Sequence, residues 1–158
     1  MVENSPINLN LQADDPDGDS LHYGISGGAD QRNFRIDPLG GTVSFVGVPD
    51  FENPKDADGN NLYEIVVTAT DYASTTYSVS QSITISISNA NDNNPEIISD
   101  GGGSNAVVRL QENLALATTV QASDADLDGL SYSLSGGNDQ EKFLIGASDG
   151  RLRFVRAP

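Results

Sequence analysis

The sequence has no cysteine and no tryptophan, and only one histidine and one methionine. Without Cys there is no disulfide, no thiolate zinc site and no Cys nucleophile. Two settings fit that absence: an intracellular protein that happens to lack the residue, and a secreted surface protein stabilised by something other than disulfides. His22 stands alone, so neither a Ser-His-Asp triad nor a histidine zinc site finds its partners. No apolar run approaches the ~20 residues that span a bilayer. No signal peptide is visible, so a soluble chain is expected, with any secretion signal or anchor outside this sequence. Positive charge is also scarce, with 8 basic residues against 23 acidic ones and a formal net charge of −15. Nucleic acid is a poor partner, because phosphate binding needs clustered Lys and Arg. An anionic membrane surface would repel such a chain too. Metal cations are the natural counterpart for so many carboxylates.

What is present is repetition. With Glu3-Asn4 placed over Glu112-Asn113, an offset of 109 (112 − 3), the register runs on without a gap. Gln12-Ala13 falls on Gln121-Ala122, and Asp15, Asp17 and Asp19 fall on Asp124, Asp126 and Asp128. Tyr23 meets Tyr132, Ser26-Gly27-Gly28 meets Ser135-Gly136-Gly137, and Phe34 and Phe45 find copies at Phe143 and Phe154. The register holds until Pro49 meets Pro158. The chain reads as one nearly full repeat followed by the front half of the next.

The local pattern is β throughout. Ile7, Leu9 and Leu11 alternate with polar residues, as do Val79, Ile83, Ile85 and Ile87. The stretch 62–70 is rich in β-branched and aromatic side chains. Clusters of Gly, Asn, Asp and Pro break these runs about every ten residues, the rhythm of a sandwich with roughly seven strands per repeat.

Several turns carry oxygen donors at alternate positions: Asp15-Pro-Asp17-Gly-Asp19, Asp56-Ala-Asp58-Gly-Asn60 and Asp124-Ala-Asp126-Leu-Asp128. Alternate spacing lets a curved backbone aim successive carboxylates at one hard cation. An EF-hand also needs Glu at position twelve, where this chain has Ser26, Val67 and Ser135, so that motif fails. Any one of these clusters can equally be a plain Asp-Gly or Asn-Asn turn.

Five motifs occur together and in order: Val2-Glu3-Asn4, Asp50-Phe51-Glu52, Ala69-Thr70-Asp71, Asn89-Ala90-Asn91-Asp92-Asn93-Asn94-Pro95 and Asp124-Ala125-Asp126. As an ordered set they resemble the cadherin repeat over essentially the whole chain. The phrases Ser-Gly-Gly-Ala-Asp, Pro-Asp-Phe-Glu-Asn-Pro and Asp-Ala-Asp-Gly-Asn-Asn look more like the repeats of large bacterial adhesins than vertebrate cadherins. The resemblance implies an all-β, cadherin/immunoglobulin-like Greek-key sandwich. Repeat 1 is expected over 2–95, short of its first strand, then a Gly-rich linker over 96–105, then the truncated repeat 2 over 106–158, with Val107–Leu110 as its first strand.

The resemblance also implies calcium. Glu3, Asp50, Glu52 and Asp92 are expected to bind it at the base of repeat 1, with side-chain or backbone oxygens from Asn91 and Asn93. Asp124 and Asp126 would reach in from repeat 2. Asn89 stands where the family's first linker Asp is found, which removes a charge. The counterpart of Asp71 in repeat 2 would fall at position 180 (71 + 109), outside this sequence. Asp15, Asp17 and Asp71 are expected to serve a junction with a preceding repeat.

Function then follows as an extracellular, cell-surface protein in which calcium stiffens the joints between repeats for cell–cell or biofilm adhesion, with no enzymatic activity. Its partners would be calcium ions, neighbouring repeats and like molecules. A calcium-dependent carbohydrate-binding module is the alternative, with Tyr23, Tyr63, Tyr72, Tyr77 and Tyr132 as stacking candidates for an exopolysaccharide. Asp30, in a Gly-rich turn, lies outside the expected ligand set. One further ambiguity is topological. The back half at 50–95 can complete either the front half before it or the one at 106–158, and the unbroken connection favours the former.

Overall fold

A computed structural model describes residues 1–73 and 77–157; Pro158, the last residue of the expected second repeat, lies outside them. The chain divides into two compact units, Met1–Ala90 and Asn91–Pro158.

In the first unit β1 (Asn8–Asn10) pairs with β4 (Thr42–Phe45), which pairs in turn with β3 (Phe34–Ile36). A second antiparallel sheet runs β2 (Leu21–Gly27), β5 (Leu62–Asp71), β6 (Ser78–Ser86). The chain therefore changes sheet after β1, β2 and β4. The six strands are joined by an isolated parallel bridge between Val2 and Ser88. β5 shows why the sequence folds this way: its alternate residues Tyr63, Ile65, Val67, Ala69 and Asp71 are buried, while Leu62 and Glu64 are exposed. Phe34 and Val43 from one sheet meet Tyr63, Ile65, Val67 and Ile85 from the other, with Ile7 and Ile87 completing the core. That is sheet-on-sheet packing with interleaved inner faces. Phe45 stands between Phe34 and Tyr63, with ring centroids 4.2 and 5.0 Å away. Because β5 pairs with β2, the back half completes the front half that precedes it.

The second unit holds β10 (Phe143–Ile145), β11 (Arg151–Phe154) and β8 (Leu116–Thr119) in one small sheet. A separate pair joins β7 (Glu96–Ile97) to β9 (Ala122–Ser123). Two expectations change here. Residues 96–105 are more than a linker, since they carry β7 and a short 3-10 turn at Ser99–Gly101. Residues 107–110 form no strand: in the first unit the chain at Val2–Glu3 is held by Ser88, and among the described residues of the second unit there is no counterpart of Ser88 to hold the matching segment. Likewise 130–135, the copy of β2, is not extended into a ladder. In the first unit Gly28 (φ 100°) sits so close to β5 that a Cβ there would stand 2.3 Å from the Glu64 carbonyl oxygen. Its copy Gly137 keeps φ at 109° with nothing within 4 Å of that position.

Candidate metal-binding carboxylates

The N-terminal segment of the first unit runs alongside the end of β6. The Glu3 N–H donates to the Ser88 carbonyl (3.2 Å), and the Asn4 N–H, at a left-handed φ of 57°, donates to Pro49 (3.0 Å). These bonds carry the Glu3 side chain inward, where it is only 1% exposed. Its Oε1 accepts from the Ala90 N–H (2.9 Å) and its Oε2 from the Phe51 N–H (2.6 Å). One carboxylate thus ties together the segments around residues 3, 51 and 90. A Glu52 oxygen lies within 4.8 Å of a Glu3 oxygen. Asp50 turns one oxygen back to the Asn53 N–H (2.9 Å). Asn89, on the same segment as Ala90, is half-buried.

Asp15 and Asp71 line a shared open cavity of about 120 Å³. Asp71 is buried and accepts from the Ala73 N–H (2.7 Å), while Asp15 accepts from the N–H groups of Asp17 (2.9 Å) and Asp19 (3.3 Å). Asp17 itself is exposed. Asp71 lies by the start of β6 and Glu3 beyond its end. A nine-residue strand at about 3.4 Å per residue separates them by ~30 Å. The first unit therefore presents one expected ligand set at each end.

In the second unit Asp126 gathers the segment 91–93. Its Oδ2 accepts from the N–H groups of Asp92 (3.1 Å) and Asn93 (2.8 Å), and its Oδ1 from Asn93 Nδ2 (3.1 Å). Asp92 and Asp126 carboxylate oxygens lie within 4.8 Å of each other. Asp124 accepts from the Asp126 N–H (2.9 Å), and Asn91 Nδ2 donates to Asp128. Each unit thus brings two acidic oxygens close together: Glu3 and Glu52 in the first, where Glu3 accepts from two backbone N–H groups, and Asp92 and Asp126 in the second.

The third spaced cluster behaves differently. Asp56 is buried, and its Oδ2 and Oδ1 accept from the N–H groups of Asn60 (2.7 Å) and Asn61 (3.3 Å) in its own loop. Burial pushes this carboxyl up, but those N–H groups and the Asp58 side chain outweigh it and hold the carboxyl below its ordinary value. A carboxylate whose donors are the N–H groups of its own loop, four and five residues on, is the plain turn. Asp30 was invisible in its Gly-rich turn. It is 4% exposed, and its oxygens accept from the N–H groups of Ala57 and Glu64, both at 2.7 Å. Asn61 closes the Asp-Ala-Asp-Gly-Asn-Asn phrase but carries no expected ligand role, although an Asn closing an Asx loop is a recognised left-handed residue.

Three of the five tyrosines serve the fold. Tyr63 is buried and its hydroxyl accepts from the Lys55 N–H. The hydroxyls of Tyr23 and Tyr132 accept from Ala13 and Ala122, at 3.2 and 3.1 Å, the same bond repeated at the offset of 109. Tyr72 and Tyr77 remain exposed. His22 is exposed on β2 opposite Thr70.

The first unit is thus an all-β sandwich that carries oxygen donors at both ends. The Cadherin domain model matches residues 2–88, and the chain belongs to that family. The human Cadherin EGF LAG seven-pass G-type receptor 3 is 32% identical over 160 residues, covering 95% of this chain and 4% of the receptor. Rat Protocadherin Fat 2 is 31% identical over 149 residues, covering 90% of this chain and 3% of its own length. The extracellular domain of Protocadherin GammaB4 superposes with a TM-score of 0.73 at 22% identity, over 99% of this chain and 27% of that one. The chain thus spans a few per cent of the curated relatives. Cadherin domains are extracellular adhesion modules, and no enzyme family is indicated. Among the described residues, no helix is long and apolar enough to cross a membrane.

Proposed function

We propose that this chain is a calcium-binding, non-enzymatic cadherin repeat of an extracellular adhesion protein, and that calcium stiffens the joints between successive repeats. Glu3, Asp50, Glu52, Asp92, Asp124 and Asp126 would supply the carboxylates, with Asn89, Asn91 and Asn93 adding oxygens; Asp15, Asp17 and Asp71 would serve the opposite end of the first unit. Neighbouring repeats and like molecules are the proposed partners. The bacterial-adhesin phrasing of 26–30, 49–54 and 56–61 supports placing it in a surface protein of that kind.

The observation that carries the calcium reading is Glu3. A carboxylate 1% exposed, with the Glu52 carboxylate within 4.8 Å, is costly without a cation. Two such charges repel by roughly 3 kcal/mol at an effective dielectric of 20. The donor set is all oxygen, which suits a hard cation with many flexible ligands. A cation bound to the folded state alone turns its binding energy into stability.

Melting temperature tests this directly. Millimolar calcium is expected to raise it relative to EDTA. Magnesium should do so poorly, because it holds its waters and demands six short bonds. Identical melting in calcium and EDTA refutes the reading.

A further inference from the structure

We propose that Asn61 is a positioning residue for the metal-facing loop 50–52, an inference that rests on the calcium reading above. The backbone of Phe51 is held on both sides, through the peptide before it and the peptide that joins it to Glu52. Its N–H donates to Glu3 Oε2 at 2.6 Å, and its carbonyl accepts from Asn61 Nδ2 at 2.9 Å. Glu52 is the next residue, so the plane of the 51–52 peptide, whose carbonyl Asn61 holds, sets where the Glu52 carboxylate starts from. Glu3 and Glu52 oxygens come within 4.8 Å of each other from this shared anchor.

Asn61 is itself fixed by its backbone. Its N–H donates to Asp56 Oδ1 at 3.3 Å, and its carbonyl accepts from the Ile87 N–H at 3.0 Å. The loop that carries it is stapled at both ends by Asp30, through Ala57 and Glu64. Hydrogen bonds thus run unbroken from the buried Asp30, through the 56–64 loop and Asn61, to Phe51 and Glu3. All of these groups lie in the first unit.

A merely structural role predicts a different residue. Asn61 has φ of 63°, where glycine is the residue without a steric cost. The residue is 9% exposed, and its Oδ1 finds no hydrogen-bond partner among the described residues. Glycine would avoid both the strain and the buried, unsatisfied acceptor. What glycine would lose is the bond to the Phe51 carbonyl, and that bond acts on the loop bearing Asp50 and Glu52.

The test compares the full chain with Asn61→Gly and Asn61→Asp. The first removes the side chain at a φ that suits it. The second keeps the shape and puts an acceptor where Nδ2 donates. Calcium is titrated by calorimetry, melting is followed in EDTA, and amide exchange of 50–53 is followed without metal. Loss of one hydrogen bond is expected to speed that exchange about fivefold and to weaken calcium binding about fivefold to tenfold. The EDTA melting temperature of Asn61→Gly should stay within a few degrees of the parent. Combined with Glu52→Gln, its effect on calcium affinity should be less than additive, because both act on the same ligand. Wild-type affinity in Asn61→Gly, or losses in both variants that simply follow lowered melting in EDTA, overturn the proposal. A parent chain that takes up no calcium refutes the calcium reading and this inference with it; calcium binding that ignores Asn61 refutes only the second.

Discussion

Under the proposed calcium reading, residues of one charge have opposite parts in this chain. Glu52 and Asp30 each carry one negative charge, but Asp30 spends both oxygens on backbone donors inside the fold. Replacing Asp30 with Ala leaves the Ala57 and Glu64 N–H groups without it, a cost of about 1–3 kcal/mol for each group left buried. It is therefore a probe of folding and a poor control for metal binding. Glu64, whose side chain points outward from β5, is the better control. Glu52→Gln is expected to weaken calcium binding by more than about tenfold, or ~1.4 kcal/mol, whereas Glu64→Gln should change it less than about twofold. Equal losses in a titration would mean that diffuse charge attracts the ion. Glu52 enters the proposed ligand set from the sequence, because Asp50-Phe51-Glu52 is one of an ordered set of motifs. It hid Asp30, because the N–H groups that hold a carboxylate come from residues 27 and 34 positions away and carry no side-chain signature.

At the scale of elements, strands were readable where one face is buried. The alternation of Tyr63, Ile65 and Val67 announces β5 by itself. Residues 107–110 and 130–135 have similar composition and form no strand, since a ladder needs a partner strand beside it, and a segment's own composition does not encode that. Loops were harder still. Asp56-Ala-Asp58-Gly-Asn60 has the spacing of a cation loop, yet its first carboxylate faces its own backbone donors. That difference has a pH signature. The folded state holds the Asp56 carboxyl below its unfolded value of 3.8, so it binds this proton less tightly than the unfolded chain does. The stability it contributes is complete above that unfolded value and is lost as pH falls through the folded one. Urea midpoints measured from pH 7 down should therefore drop below about pH 4. Asp56→Asn should start lower by about 1–3 kcal/mol at neutral pH, because its amide turns a donor towards one of the two N–H groups. It should also show a shallower acid limb. An acid limb parallel to that of the parent would mean that Asp56 is not held by its loop.

On the scale of the whole molecule, the two units differ in how much they bury. Every buried apolar residue among the described residues belongs to the first unit, from Ile7 to Ile87. In the second, Phe143 and Phe154 meet at 4.7 Å but remain partly exposed. Apolar burial contributes roughly 25 cal/mol per Å², so the second unit has far less to set against the entropy of ordering its chain. The contrast between copies shows where the difference arises. Asp30 is held by two backbone N–H groups from the 57–64 segment, whereas its copy Asp139 turns to Lys142 in an exposed ion pair. Exposed ion pairs of this kind stabilise little. Native-state hydrogen exchange should register this contrast. Amides of β2 and β5 are expected to exchange slowest, in step with global unfolding of the first unit, and those of 107–157 at least about tenfold faster, a gap of ~1.4 kcal/mol or more in opening free energy. Calcium should slow exchange at 92–93 and 126, whose amides already converge on Asp124 and Asp126. Stronger protection in 107–157 than in β2 and β5 would place the stable core in the second unit. It would also imply that residues 50–90 complete that unit in solution, because no other segment of the 158 residues supplies the missing sheet.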